Sequence, residues 1–460
     1  MAEIQPFRAF RYDTGKVKLA DVLTQPYDKI SAAMQEKYYA ASPFNLISVE
    51  KGKVFADDTI ANSVYSRAAK KMEEWIAQKV LVQDAAPGIY VYTQEFTVPG
   101  TQTRRARMGF IALGRLEDYE AKVVHRHERT LPAPKADRIE LQRQTRAQTG
   151  QLFMLYDDPA RKIEILLEEI TRKPAPAELI DEYGVTHRLW PVTDAALIER
   201  VQKEMAGQKL VIADGHHRYE TALHLRNEAR KLRGQAQPMA VEEFAMMTFV
   251  NTHSRGLTIL PAHRLLLNRA NFDFEKFRNA VSPWFDWYSY PFVNHDERAA
   301  ACGEFLRDLD SDKHHRRAIG IYAGGSAFYL FLLRRDADLG SLLPDISDAQ
   351  RGLDVVLLHR LILEKGLGIT PEAVAAEKSV GYEREIGVAL AAVDQGGAQM
   401  AMLMKAVRVQ QVMDIALGGD VMPQKSTDFY PKLMSGIAIF RPVGNVESVL
   451  AGRAEGTARG

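Results

Sequence analysis

The sequence predicts a mixed α/β fold, and three observations carry that reading. Apolar runs of strand period, such as "GIYVYTQEFTV" at 88–98 and "RARMGFIALGRL" at 105–116, share the chain with helical patterns such as "DAALIERVQKEMAG" at 194–207. The connections are of two kinds: "PGTQT" at 99–103 reads as a hairpin loop, whereas "KLVIADG" at 209–215 runs straight into a helical stretch. The composition, 46% hydrophobic and 26% charged over 460 residues, is that of a globular chain with room for about two or three cores.

In order, the first fifty residues read as irregular with short strands, "TQPYDKIS" at 24–31 being a tight proline-containing turn and "NLISVE" at 45–50 a strand. A helix is expected within 58–81, followed by the antiparallel pair on either side of "PGTQT". The segment 123–158 places a charged, proline-rich loop before a helix and a strand, and the helix of 194–207 stops at a glycine. Beyond Asn251 come strands in "LTILPAHRLLL", a helix at "DFEKFRNAV", a helix at "DERAAACGEFLRDL", and strands in "RAIGIYAGGSAFYLFLLRR". The helices "LDVVLLHRLILEKGL" and "VQQVMDIALGG" flank the strand "AQMAMLMKAV", and "SGIAIFR" is read as the last strand. A polar break at 265–272 sets a boundary, giving domains at 1–268 and 269–450 and a frayed tail at 451–460. No repeat or heptad array occurs.

Charge and motif content exclude several functions. Sixty basic against 59 acidic residues leave no global field to draw the chain to nucleic acid or to an anionic membrane, so any anion must be held locally. No stretch approaches the roughly 18 apolar residues of a membrane span, and the N-terminus has no apolar signal core; a cytoplasmic protein is expected. The single cysteine, Cys302, excludes an intrachain disulfide and a Cys-rich metal site, and is read as packing within its helix. P-loop, dinucleotide-binding, zincin and hydrolase-elbow motifs are absent.

What remains is "ADGHHRYETAL" at 213–223. Four apolar residues end at Asp214 and Gly215, and Tyr219, Ala222, Leu223 and Arg226 then recur at helical intervals. In a strand, sharp turn and helix, the unpaired amides of the first helical turn and the positive end of the helix dipole favour an anion. Gly215 allows close backbone approach, Asp214 is placed to cap the helix or hold a metal ion, and Arg218 offers a bidentate fork for phosphate. His216 and His217 add donors, but adjacent helical side chains diverge by about 100°, which argues against a shared metal. The other His-His pair, in "SDKHHRRAIG", lacks the Asp-Gly and reads as a solvated loop; His263 and His359, inside apolar runs, read as buried structural histidines.

"ADGHHRYETAL", with "QPYD" at 25–28, "HERTLPAPKADR" at 127–138, "ILPAHRL" at 259–265, "LDVVLLHRLIL" at 353–363 and "MPQKSTDFYPKLMSG" at 422–436, resembles the signature set of the prokaryotic domain of unknown function 1015. The D-G-H-H-R box alone is similar to the phosphate-binding box of the ParB/sulfiredoxin superfamily, above all its free serine kinases. That second resemblance implies a ParB/sulfiredoxin-like core with a large insertion at about 50–195, plus a second α/β domain. It further implies phosphate or nucleotide contacts from Gly215, His216, His217 and Arg218, with Asp214 near the transferring group or its Mg²⁺, and serine or phosphoserine as substrate.

Phosphoryl transfer asks for cations around the transferring oxygens and a carboxylate to take the nucleophile's proton. Asp28 and Glu128 are the candidate bases. Lys135 and Arg138 in "PKADR", with Lys425, Ser426 and Thr427 in "MPQKST", are candidate phosphate contacts, and Asp214 and His216 complete the catalytic set. The expected activity is a phosphotransferase of the serine-kinase kind with ATP or ADP as co-substrate and Mg²⁺. A phosphoserine phosphatase, which could pass through a phosphohistidine, and a nucleotide-gated binding module stay open as rivals. The expected partners are a small molecule and a nucleotide, without membrane or nucleic acid; a homodimer is left open.

Overall fold

The computed structural model describes residues 2–442 except 129–131, 235–238, 312–313 and 377. The tail of 451–460, and Arg129 and Thr130 of the "HERT" block, therefore lie outside the described residues. The chain is a mixed α/β protein and divides into two compact units: residues 1–126, 130–258 and 431–460, and residues 127–129 and 259–430.

The first unit is built on a nine-stranded mixed sheet. The expected hairpin forms between Ile89–Thr97 and Arg104–Arg115, and the second of these strands pairs in turn with Phe244–Asn251. Phe244–Asn251 runs parallel to Leu152–Tyr156, whose other neighbour is the antiparallel strand Leu210–Asp214. All eight residues of Phe244–Asn251 and all five of Leu152–Tyr156 are buried, which is why both read as continuous apolar runs rather than alternating ones. Phe110 stacks on Phe249 with ring centroids 5.1 Å apart, in a core that also takes Met154, Ile212, Tyr219 and Ala222. The junction strand and the first turns of its helix are thus bolted to the centre of the unit. The stretch 50–195 is no separate insertion: it supplies six of the nine strands.

The second unit carries a six-stranded antiparallel sheet in the order Phe285–Pro291, Ala327–Leu333, Ala318–Tyr322, Met400–Leu403, His263–Leu266, Val380–Glu383. The helices His295–Asp310 and Ile386–Asp394 cover one face through Phe305, Leu309, Ala389 and Leu390, and Cys302 packs against that core as expected. His263 is 1% exposed, and burial lowers it to about 4 and His359 to about 3, so both are neutral core imidazoles.

Three expectations are corrected. "NLISVE" contains a short helix, Ile47–Glu50, because Asn45 Oδ1 accepts from the Ile47 amide and so caps a segment that composition alone marks as a strand. The domain boundary falls at 258–259 rather than 268, and the chain does not stay in the second unit. "SGIAIFR" returns to the first unit, making isolated bridges from Ser435 to Thr24, Ile439 to Phe10 and Phe440 to Gln148 rather than a ladder strand. Its apolar side chains cause the return: Ile437, Ala438, Ile439 and Phe440 are all buried, and Phe440 meets Phe7 edge-on at 5.6 Å. Phe440→Ala is expected to cost about 3–5 kcal/mol, the usual loss for emptying an aromatic core position. An unchanged urea midpoint would contradict this anchoring.

Candidate functional site

The junction forms as the local sequence dictates. Strand Leu210–Asp214 ends at Asp214 after a register shift, and Gly215 takes a left-handed conformation, φ 93°, as the N-cap of helix His216–Arg233. A Cβ at Gly215 would meet the Arg218 guanidinium at 3.2 Å, so glycine is required both by the backbone angle and by the arginine folded over it. The helix has no side-chain cap and no acidic residue in its first turn, which leaves its positive end uncompensated by its own residues.

Cations crowd this end. Lys432 Nζ lies 2.9 Å from Asp214 Oδ2, and Arg218 Nη2 lies 3.9 Å from Asp214 Oδ1. Arg218 also donates through Nη1 to the Gln151 carbonyl, which holds its fork in place. Burial alone would raise the Asp214 pKa, but Lys432, Arg218 and Lys29 outweigh it and hold the carboxyl well below the usual carboxylate range. Beneath the junction the buried Arg107, lowered by desolvation to about 10, donates to Gln94 and to the Pro431 carbonyl and feels the Asp214 charge. Four cationic side chains thus act on Asp214, while Asp28, Glu50 and Glu220 act on neighbouring groups of the same region.

The "QPYD" turn comes to the same place. Asp28 and Lys29 are exposed on the single turn Tyr27–Lys29. Burial lowers the His217 pKa, with Glu220 and Asp28 pulling it back up, so Asp28 stands within electrostatic reach of the helix start. Tyr27, pushed up by burial to about 12, feels Arg218, Asp28, Arg138 and Glu50 together. The Arg138 guanidinium lies 4.2 Å from the centre of the Tyr27 ring and donates to the Glu50 carbonyl, while Lys135 Nζ is 3.6 Å from Glu220 in the first turns of the junction helix. Asp28, Lys135, Arg138 and Asp214 to Arg218 are therefore gathered in one region of the first unit. His216 is 7% exposed and faces the core; His217 is half-buried.

The other predicted residues belong to the second unit. There Glu128 Oε1 accepts from the Lys425 amide at 3.2 Å, Lys425 Nζ sits 4.3 Å from the centre of the Tyr382 ring, and Thr427 Oγ1 lies 2.8 Å from His127 Nε2. Ser426 is buried and donates to the Pro423 carbonyl. These hydroxyls are engaged in holding their own loop.

Sequence reading passed over Lys432, Lys29 and Glu50. Lys432 stands inside a block already singled out for Lys425, seven positions earlier. Glu50 was hidden in the misread strand; it is buried, accepts from Thr149 Oγ1, receives Ser435 Oγ at 3.4 Å, and shares with Arg138, Gly150 and Arg218 a narrow cleft of about 50 Å³.

The donor set does not fit a protein-built magnesium site. Asp214 is already paired with an ammonium and a guanidinium, and among the described residues no three His, Cys, Asp or Glu side chains cluster as metal ligands. Lys432→Met should cost about 1–2 kcal/mol at pH 7, less than a fully buried pair because Arg218 still faces Asp214. Since the folded pKa of Asp214 is depressed, the pair's contribution is complete above the unfolded pKa of about 4 and fades as pH falls below it. The gap between wild type and variant in urea melts is therefore expected to hold from pH 7 down to about pH 4 and to shrink only as pH falls further toward the depressed folded pKa of Asp214, and a gap that grows as pH falls would contradict the pairing.

Comparison with known proteins places these features in a family. Among solved structures the chain is similar to a conserved hypothetical protein from Pyrococcus furiosus (12% identity, TM-score 0.32, covering 71% of this chain and 94% of that one). It is also similar to a free serine kinase in complex with AMP (11%, 0.33, 71% and 90%) and to a C-terminally truncated SbnI from Staphylococcus aureus (7%, 0.34, 71% and 85%). No curated protein matches. No helix among the described residues is long and apolar enough to cross a membrane. The family model described as "Protein of unknown function (DUF1015)" matches residues 4–356, and the chain belongs to that family.

Proposed function

We propose that the protein transfers a phosphoryl group between a nucleotide and a small hydroxylated metabolite, with serine and phosphoserine as the pair and the nucleotide phosphate seated on the "DGHHR" junction. The observation that carries this reading is the cluster of fixed positive charge at the helix start: Arg218, Lys432, Lys29 and Arg107 act on the carboxylate of Asp214, beside a left-handed Gly215. Pre-placed cations and amides need no reorganisation when charge spreads over the transferring oxygens, which is where most of the rate gain of such reactions arises.

Roles follow from exposure and commitment. Arg218, held by Gln151, clamps phosphate oxygens, and Lys432 both pins Asp214 and neutralises the donor. Asp28 takes the hydroxyl proton of the acceptor, because it is exposed at the rim, whereas Glu50 is buried and bound to Thr149 and so positions the cleft instead. In the reverse direction the same residues return phosphate from phosphoserine to a nucleoside diphosphate. The burial of His216 weighs against a phosphohistidine on that residue.

Incubating the protein with serine plus ATP or ADP, and separately with phosphoserine plus ADP, while following phosphorus by NMR, should show turnover in one mixture. Arg218→Ala is expected to reduce that turnover by at least about 10²-fold. Asp28→Asn should lower kcat by about 10²–10⁴-fold with little change in nucleotide KM. Absence of turnover together with thermal stability unmoved by nucleotide would overturn the reading. Nucleotide binding without turnover would favour the gated binding module.

A further inference from the structure

The second His-His pair, "SDKHHRRAIG", leads into a feature that phosphotransfer at the junction does not use. Arg316 and Arg317 immediately precede strand Ala318–Tyr322, and Arg334 and Arg335 immediately follow its neighbour Ala327–Leu333. The strands are antiparallel with Ala318 opposite Leu332, so both arginine pairs emerge at the same end of the sheet. Strand Met400–Leu403 flanks Ala318–Tyr322 on the other side with Leu403 opposite Gly320, which brings Lys405 to that end as well. Helix Val409–Leu417 starts there with Arg408 as its N-cap.

Together these side chains line an open depression of about 820 Å³ in the second unit. Six cations line it with two carboxylates, Asp310 and Asp354, and Asp286 and Asp336 pair with Arg316 and Arg334, leaving an excess of two positive charges. The internal pairs do not use up that charge. Arg317 is 3.2 Å from Asp354, Arg316 is 2.5 Å from Asp286, and Arg334 is shared between Asp336 at 3.0 Å and Asp286 at 3.8 Å, but no carboxylate pairs with Arg335 or Arg408 among the described residues. A narrower cleft shares Asp354, Lys405, Ala406 and Gln411 with the depression and reaches Arg264, which is 1% exposed and whose Nε has no hydrogen-bond partner among the described residues. The Arg264 terminal nitrogens donate to the carbonyls of Ala262, Gln424 and Lys425, which leaves Nε as the donor of this buried guanidinium that a ligand could still satisfy.

We propose that this depression binds a multiply charged phosphorylated small molecule, at a site separate in sequence and chemistry from the junction. The size falls within the roughly 300–1,000 Å³ of small-molecule sites. Five of the six cations are arginines, whose planar forks match phosphate oxygens two at a time. Only Leu333 and Ala406 are apolar in the lining, and no aromatic plate is present for a base, so recognition falls on the anionic groups. The same lack of aromatic side chains, with a chain net charge of +1, argues against single-stranded nucleic acid.

Titration calorimetry of the full chain with inorganic tripolyphosphate tests this, using Arg335→Glu/Arg408→Glu, both at exposed positions, and Arg218→Ala to silence the junction. The Arg218→Ala protein should still bind tripolyphosphate, and adding the double charge reversal should weaken that binding at least tenfold, while Arg335→Lys/Arg408→Lys restores most of it. In the otherwise wild-type chain the double reversal should remove one binding equivalent, which keeps the test valid if Arg218→Ala does not fold. No binding in the Arg218→Ala protein when that protein is folded, binding indifferent to the reversal, or a 12-nucleotide RNA binding more tightly than tripolyphosphate at equal salt would each overturn the proposal.

Discussion

The pairing of Asp214 with Lys432 and Arg218 at a left-handed glycine is the constraint on which the first unit's chemistry depends. Asp214 closes a strand one in from the edge of the sheet, Gly215 turns the chain, and the helix that follows starts without a side-chain cap. The carboxylate orders the two cations; the cations in turn leave the helix end more positive than the carboxylate alone would allow. Arg107, buried below and bound to the carbonyl just before Lys432, ties the returning segment to the same point.

That returning segment explains why the chain crosses between units. Residues 431–442 leave the second unit and bury Ile439 and Phe440 in the first, and Lys432 arrives at Asp214 as part of the same run. One apolar stretch thereby both completes a core and brings Lys432 to Asp214, so core packing and this ion pair are coupled in the segment.

Legibility in the sequence follows how local each cause is. The junction could be read because strand, Asp-Gly turn and helix are contiguous, and each is set by neighbours: β-branched residues before, helical spacing after. The hairpin of Ile89–Thr97 with Arg104–Arg115 was readable on the same ground, as alternating apolar runs. Lys432 was not, because its partner lies 218 residues away and only the pairing sets it apart from the rest of its block. Glu50 was lost to composition, since Leu, Ile and Val suggest a strand while a single Asn45 cap makes a helix. Lys425, Ser426 and Thr427 looked like a phosphate loop, yet their side chains meet a tyrosine ring, a carbonyl and a histidine of their own unit.

The central claim is that a nucleotide phosphate sits on the amides of the junction helix. Hydrogen exchange of the intact protein with and without ADP, resolved to peptides, tests it most directly. The account predicts slowed exchange over residues 214–221 and over the 25–29 turn, where Asp28 and Lys29 flank the helix start. Exchange unchanged in both segments, with protection confined elsewhere in the chain, would contradict it.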